Sequence, residues 1–265
     1  MMDLVEAQKI KSTTFLRHPW ELSRLAIIES MIKTITNDCE NHAEINIIDI
    51  GSGDLFVLSE LNKIHKFKSL TGIDIGYDNK TLSALNVKNS FSNLRVANNY
   101  EGLELNQNEQ YLILLMDVLE HVEDDKKFID DLKKQFFKLD NVTIIVTVPS
   151  FQSLFCSHDK VLFHYRRYTN RQLSQRFSQT GLKICDNGYF FLTPMIFRIV
   201  RVLYEKTFKK YKTDSALSSW NYNRFLTKII TKVLLLEYLS ISTLKSIGIK
   251  LPGLSNYIVC QKSAS

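Results

Sequence analysis

The sequence predicts an α/β fold: a parallel, doubly wound sheet with helices between its strands. The first observation is Ile47-Ile48-Asp49-Ile50-Gly51-Ser52-Gly53-Asp54-Leu55, where an apolar run passes an acid, then two glycines one residue apart, then the start of a helical pattern. Glycines at such a turn let the backbone approach a ligand where a Cβ would collide. The second is Leu70-Thr71-Gly72-Ile73-Asp74-Ile75, another short apolar strand ending in an acid. The third is Tyr111-Leu112-Ile113-Leu114-Leu115-Met116, an unbroken run of the kind that a strand buried on both faces requires. Strands alternating with helical periodicity belong to one parallel sheet.

The elements follow in order. A first helix begins near Pro19, a residue suited to a first helical turn, and runs to about Ile35 on a stripe of Leu22, Leu25, Ile28, Met31 and Ile32. Strand 1 covers about 45–50, and its helix follows from Leu55. Strand 2 spans about 69–75, with a helix over about 79–87. Leu94–Ala97 makes a weak third strand and 111–116 the fourth. A helix opening at Asp124 or Asp125 buries Phe128, Ile129, Leu132 and Phe136. Strand 5 runs from Val142 to Val148 and stops at Pro149. Thr169-Asn170-Arg171-Gln172 is a capping box, so a helix starts there, and Gly181 ends it. Strand 6 is about 182–191. The pattern then changes: Pro194 opens a helical stretch to about Lys212, and a second helix runs from about Tyr222 to Ile247. After Pro252 and Gly253, a last strand, Ser255–Cys260, closes the fold. The roughly 60 residues between the last two strands far exceed an ordinary connection and form an insertion. The expected division is a helical cap over 1–40, a cofactor-binding domain over 41–191, a basic helical insertion over 192–250 and the final strand over 251–265.

The residues also narrow the ligand. A dinucleotide turn wants G-x-G-x-x-G with the pyrophosphate on the helix N-terminus. Here the third glycine position holds Phe56, and Asp49 would repel a pyrophosphate. A carboxylate suits a cationic group instead, such as the α-ammonium of S-adenosylmethionine. Asp74, at the tip of strand 2, can accept both ribose hydroxyls of an adenosine cofactor. The fourth strand runs into Asp117-Val118-Leu119-Glu120-His121-Val122. With that segment the sequence resembles the class I S-adenosylmethionine-dependent methyltransferases, specifically the small-molecule branch that includes the ubiquinone-pathway O-methyltransferases. In that family the glycine turn, the second-strand acid and D-x-L-E-H-V occur in this order. The resemblance covers residues 45 to 190 and departs at Leu55, where many members have a third glycine.

The resemblance implies a Rossmann-like sheet of seven strands, the last antiparallel and beside strand 5. It assigns Asp49, Gly51, Ser52 and Gly53 to the methionine part of the cofactor and Asp74, with Ile75 beside it, to the ribose. Asp117 and Val118 would line the methionine side, and Asn98 and Asn99 would meet the adenine. Taken alone, Asp117 reads equally as a turn or helix-capping aspartate. Methyl transfer from a sulfonium is an in-line displacement that needs positioning and, for some acceptors, a base. No metal is expected.

Substrate contacts are expected after strand 5, in Ser157-His158-Asp159-Lys160-Val161-Leu162-Phe163-His164-Tyr165-Arg166-Arg167-Tyr168-Thr169. Cations are disfavoured beside a helix N-terminus by about 0.3–1 kcal/mol each, so Arg166 and Arg167 point to an anion, with Tyr168 next to them. The stretch also resembles the H-x-R-x-Y-T segment of similar bacterial methyltransferases. His164, His121 and His158 are the candidate bases. The competing reading makes each an ordinary structural histidine, and lets an arginine pair with a surface acid.

Composition bounds the rest. The net charge of +6 is unevenly spread: residues 189–248 hold ten Lys/Arg against three Asp/Glu, leaving 24 against 25 elsewhere. The helix at Pro194–Tyr204 and its lysines read as a basic amphipathic segment, a form that lies on anionic membrane surfaces or packs as a lid. Peripheral membrane contact is therefore expected through 194–212, with Arg198, Arg201, Lys206, Lys209 and Lys210 as its cations. Four scattered cysteines argue for a reducing compartment, and the first residues do not form a signal peptide, so the chain reads as cytoplasmic, at the inner membrane face where it meets lipid. No basic stripe marks the cofactor domain and no N/D-P-P-Y motif occurs, so no nucleic-acid partner is expected. The expected activity is methyl transfer from S-adenosylmethionine to a small-molecule or lipid-linked acceptor. The rivals are an NAD-dependent oxidoreductase and a non-catalytic, membrane-associated cofactor-binding protein.

Overall fold

A computed structural model describes residues 17–36, 42–88, 91–208 and 223–262. Helix α1 (Pro19–Ile35) leads into β1 (Ile45–Ile50) and α2 (Phe56–Ile64). Then come β2 (Ser69–Ile73), α3 (Asn79–Lys88), β3 (Leu94–Ala97), β4 (Gln110–Met116), α4 (Asp125–Phe136) and β5 (Asn141–Pro149). A short α5 (Ser157–Val161) and α6 (Asn170–Phe177) precede β6 (Leu182–Phe190). The insertion contributes α7 (Leu192–Phe208) and α8 (Arg224–Ser246), and β7 (Ser255–Lys262) closes the sheet.

The seven strands lie in the order β3-β2-β1-β4-β5-β7-β6, with β7 antiparallel to both neighbours and the other pairings parallel. The strand order reverses between β1 and β4, and the crevice outside their carboxyl ends is where this architecture receives ligands. All six residues of β1 are buried, which is why that strand reads as an apolar run without alternation. Side chains alternate across the sheet. Ile47 and Ile145 pack on one face with Ile28 of α1, Leu58 and Leu61 of α2 and Leu234 of α8. Ile48, Ile144 and Val146 pack on the other with Ile129, Leu132 and Phe136 of α4 and Phe177 of α6. Each such fully buried side chain contributes about 1.5–3 kcal/mol relative to exposure.

The local signals explain the termini. The side chains of Thr169 and Gln172 reciprocally cap α6, and Asp124 caps α4 by accepting from the Lys127 amide. Several expected boundaries move. Leu55 is the left-handed residue before α2, at φ 65°, and Phe56 starts the helix. Helix α6 ends at Phe177, four residues before Gly181. Helix α7 starts at Leu192, with Pro194 in its first turn, where a missing amide hydrogen costs nothing. The expected continuation to Lys212, the start of the second helix at Tyr222 and the cations Lys209 and Lys210 lie outside the described residues.

Helix α8 packs on α1 and β6, and α7 packs on α5 and the segment before it, with an unexpected polarity. The inward stripe of α7 is Met195, Arg198, Val202 and Glu205, while Ile196, Phe197, Val200 and Leu203 face solvent. Arg198 pairs with Asp159 at 3.1 Å, and Arg201 with Glu205 at 3.0 Å. The reading that set both arginines outward as surface cations is therefore corrected: internal carboxylates take them. Amphipathic spacing fixes two faces but not which of them turns inward.

Candidate active site

The turn after β1 is built from backbone first. The amides of Gly51 and Ser52 both donate to the Ile73 carbonyl, at 2.7 and 3.1 Å, locking the turn to β2. Gly51 has φ 81°, and a Cβ placed there would fall 2.5 Å from Cγ2 of Val118. Only glycine fits that approach between β1 and the segment after β4. Asp74, 4% exposed, accepts from the Gly53 amide at 3.2 Å and the Gly76 amide at 2.8 Å, one on each oxygen. A carboxylate has room for more than two hydrogen bonds, so Asp74 holds the turn and keeps acceptor capacity. The Tyr77 hydroxyl donates to the Gly53 carbonyl at 2.5 Å and meets Ser52 Oγ at 2.9 Å. Burial and the neighbouring carboxylates push that phenol above its ordinary pKa.

The remaining residues assigned to the cofactor fall at the same end of the sheet. Asp49 is buried within β1. Ile75, directly after Asp74, is 85% exposed, an apolar side chain open to solvent at the end of β2, and Asn98 is exposed just beyond β3. Asp117 leaves β4 with φ 54° and pairs with Arg24 of α1, while its other oxygen accepts from Thr147 Oγ1 at 3.2 Å. Arg17 pairs with Asp54 of the turn and lies over the Phe56 ring at 4.3 Å. The cradle fits an adenosine cofactor. Glycine backbone offers close approach, Asp74 offers acceptors, and Ile75 offers an uncovered apolar surface.

In the segments after β4 and β5, two of the three candidate histidines come together. The rings of His121 and His164 stack edge to face at 4.7 Å, although 43 positions separate them in the chain. His164 donates from Nδ1 to Asp159 at 3.0 Å, since a carboxylate can only accept, so in the neutral ring the lone pair sits on Nε2. Asp159 is fully buried and also receives Arg167 at 2.7 and 2.8 Å, Arg198 at 3.1 Å and the Cys156 amide at 2.9 Å. Burial alone would raise its pKa, but His164, Arg167 and Arg198 outweigh burial and hold it well below the carboxylate range. His121 is pushed down to about 4, mainly by burial and then by His164. His158 is also pushed down to about 4, by burial and then by Arg198 and Arg201.

Glu120 carries no signal in the sequence for a role of its own. It is fully buried, neither carboxylate oxygen has a hydrogen-bond partner, and burial with nearby Asp117 raises its pKa well above the ordinary value. Glu120, His121 and His164 each offer a donor atom within 4.8 Å of the others, a set that could hold a metal ion. The sequence offered no spacing signal for it, because His164 arrives from a distant loop. The D-x-L-E-H-V motif is the one cue that placed the first two members.

The arginine pair is corrected. Arg167, 4% exposed, is spent on Asp159 and the Ser150 carbonyl, and Arg166 on Asp125 at 3.3 Å and the Glu123 carbonyl. The buried Tyr168 hydroxyl donates to Asp125 at 2.9 Å. The anion that the helix-cap argument required is supplied from inside the protein.

No family model and no curated protein sequence matches the chain. Solved structures do match in fold. A protein from Galdieria sulphuraria described as a sarcosine dimethylglycine methyltransferase aligns with TM-score 0.53 and 14% identity, over 91% of this chain and 86% of that one. The plantazolicin methyltransferase BamL, solved with a desmethylPZN analogue and SAH, aligns with TM-score 0.52 and 16% identity over the same shares. The methyltransferase domain of bacterial CtHen1-C aligns with TM-score 0.51 and 12% identity, over 91% of this chain and 97% of that one. The sheet with its antiparallel last strand is the Rossmann-like methyltransferase fold, and the chain carries it.

Proposed function

We propose that the chain is an S-adenosylmethionine-dependent methyltransferase acting on a small-molecule or lipid-linked acceptor. The observation that supports this reading is the Gly51–Gly53 turn held by Asp74, with Val118 of the segment that carries His121 packed against Gly51. When bound, S-adenosylmethionine supplies a methyl group already activated on a sulfonium. Gly51 and Gly53 admit its amino-acid end to the backbone, with Asp49 and Asp117 as the nearby acids and Ser52 and Val118 as walls. Asp74 accepts the ribose hydroxyls with Ile75 beside it, and Asn98 and Asn99 meet the adenine. Asp159 fixes the His164 tautomer, so Nε2 takes the proton that the acceptor atom releases. His121, neutral near pH 7 because its pKa is low, shields that nitrogen from water. The chain works in the cytoplasm, where this cofactor is made available.

Calorimetry tests the reading. S-adenosylhomocysteine should bind, and NAD should give no heat. Tight NAD binding without a response to S-adenosylhomocysteine overturns it in favour of an oxidoreductase. Labelled cofactor incubated with fractionated lysate then finds the acceptor. With that acceptor, His164→Gln should lower turnover by about 10²–10⁴ while cofactor affinity holds.

A second reading is favoured by Glu120, whose two unpartnered oxygens need an explanation. Glu120, His121 and His164 would hold a divalent cation, with Asp159 orienting His164 from behind as carboxylates do for metal-bound histidines. Titration with Mn²⁺ alone separates the two. A single saturable site abolished by Glu120→Gln makes His164 a ligand, and no binding leaves it the base.

A further inference from the structure

Helices α7 and α8 each turn a row of large apolar side chains to solvent. Phe197, Val200 and Leu203 of α7 are 71%, 60% and 58% exposed, and Phe225, Val233 and Leu236 of α8 are 73%, 52% and 63% exposed. Exposed apolar faces on neighbouring elements mark interaction sites where they run together. The two helices are tied together, since Glu237 of α8 accepts from the amide and hydroxyl of Thr193 at the start of α7.

Charge identifies the occupant. Lys206, Arg224, Lys228 and Lys232 are exposed on these helices, and none has an ion pair among the described residues. The two helices hold just two carboxylates. Glu205 is buried against Ser157 and Arg201, and Glu237 is occupied by Thr193. Among the described residues, the solvent side of the two helices therefore presents apolar side chains with cations and no available acid. A second copy of the chain, meeting face to face, would set like charges against each other. An anionic lipid surface satisfies both features at once, and no helix among the described residues is long and apolar enough to cross a membrane instead.

We infer that the outer faces of α7 and α8 form a peripheral docking surface for an anionic lipid leaflet. Arg198 and Arg201, drawn inward, are not its cations, so attraction rests on Lys206, Arg224, Lys228 and Lys232, and insertion on the apolar residues. The surface connects to the site, because Arg198 on the inner side of α7 bonds Asp159, which holds His164. A lipid-borne acceptor would reach the histidines from the leaflet. The docking surface itself does not depend on the methyltransferase reading.

Vesicle co-sedimentation tests it, using phosphatidylcholine with and without phosphatidylglycerol at low and high salt. The full chain should bind the anionic vesicles, weakly at high salt. Lys228→Glu with Lys232→Glu should cut the partition coefficient by at least about tenfold, at about 1 kcal/mol for each cation near the surface. Phe197→Ser with Val200→Ser should remove the part that salt leaves. S-adenosylhomocysteine calorimetry and a folded thermal transition on each variant separate a lost surface from a lost fold. If the wild type ignores anionic vesicles at low salt, the inference is overturned. A lipid-free dimer that Phe197→Ser dissociates also overturns it, assigning the face to a second copy. Vesicle binding without any cofactor heat would sink the methyltransferase reading and leave the surface standing.

Discussion

At Leu55 two local demands compete. Its φ of 65° lies in the left-handed region, which costs a non-glycine residue about 1–2 kcal/mol. Yet its side chain is 5% exposed and packs over Gly72, where a Cβ would sit 2.3 Å from Leu55 Cδ2. Burial of a leucine outweighs the backbone strain, since removing one costs about 2–5 kcal/mol. Leu55→Ala should therefore destabilise by that amount, while Leu55→Gly, which also relieves the strain, should lose about 1 kcal/mol less. Urea denaturation measures both, and an alanine variant more stable than the glycine variant refutes the strain. Asp74 carries the second residue-scale prediction. Asp74→Ala should weaken S-adenosylhomocysteine binding by about 1.5–3 kcal/mol, the worth of a charge-assisted hydrogen bond. An unchanged dissociation constant in a folded variant would remove Asp74 from the site.

Among the elements, α7 shows most clearly how its inner face reaches the chemistry. His158 lies at the start of α5 among Arg198 and Arg201 of α7, with Asp159 opposing them, and its folded pKa is about 4. Above pH 6.5 His158 is neutral in both states and the fold keeps its full stability. As pH falls from about 6.5 towards 4, the unfolded chain takes up a proton that the fold refuses. His158 should then contribute a loss of about 2–3 kcal/mol and His121, with a folded pKa also about 4, a comparable one, and Asp159 extends the loss to lower pH as it is protonated. Urea midpoints at pH 7.5 and pH 5 measure the drop. His158→Gln should shrink it, and a variant with the full wild-type slope would show that another group is responsible. The strands were legible because buried strands leave continuous apolar runs, and the turn because its glycines and acids sit in sequence order. The partners of Asp159 were not legible. Arg167, Arg198 and His164 converge on it from three segments, and nothing in helical periodicity says that α7 would turn Arg198 inward and Phe197 outward. Nor could spacing reveal Glu120, whose meaning depends on a histidine brought from another loop.

On the scale of the whole molecule, α1 ties the two flanks of the ligand crevice together. Arg17, just before it, pairs with Asp54 after β1, and Arg24, within it, pairs with Asp117 after β4. The same helix packs on α8, where the Ser23 hydroxyl reaches the Thr231 carbonyl at 3.4 Å. Opening the crevice therefore requires α1 to leave both acids, so the turn and α1 should open as one unit. A ligand that binds only the closed form suppresses such openings by mass action, by about 2.7 kcal/mol at a hundredfold excess over its dissociation constant. S-adenosylhomocysteine should thus slow amide hydrogen exchange in residues 18–35 by up to about a hundredfold, in step with residues 51–55. Arg24→Ala with Arg17→Ala should uncouple the two, leaving the turn protected and α1 exchanging as in the free protein. If ligand protects the turn of the unaltered chain but leaves α1 unchanged, the ion pairs are surface decoration of the crevice and α1 moves independently of it.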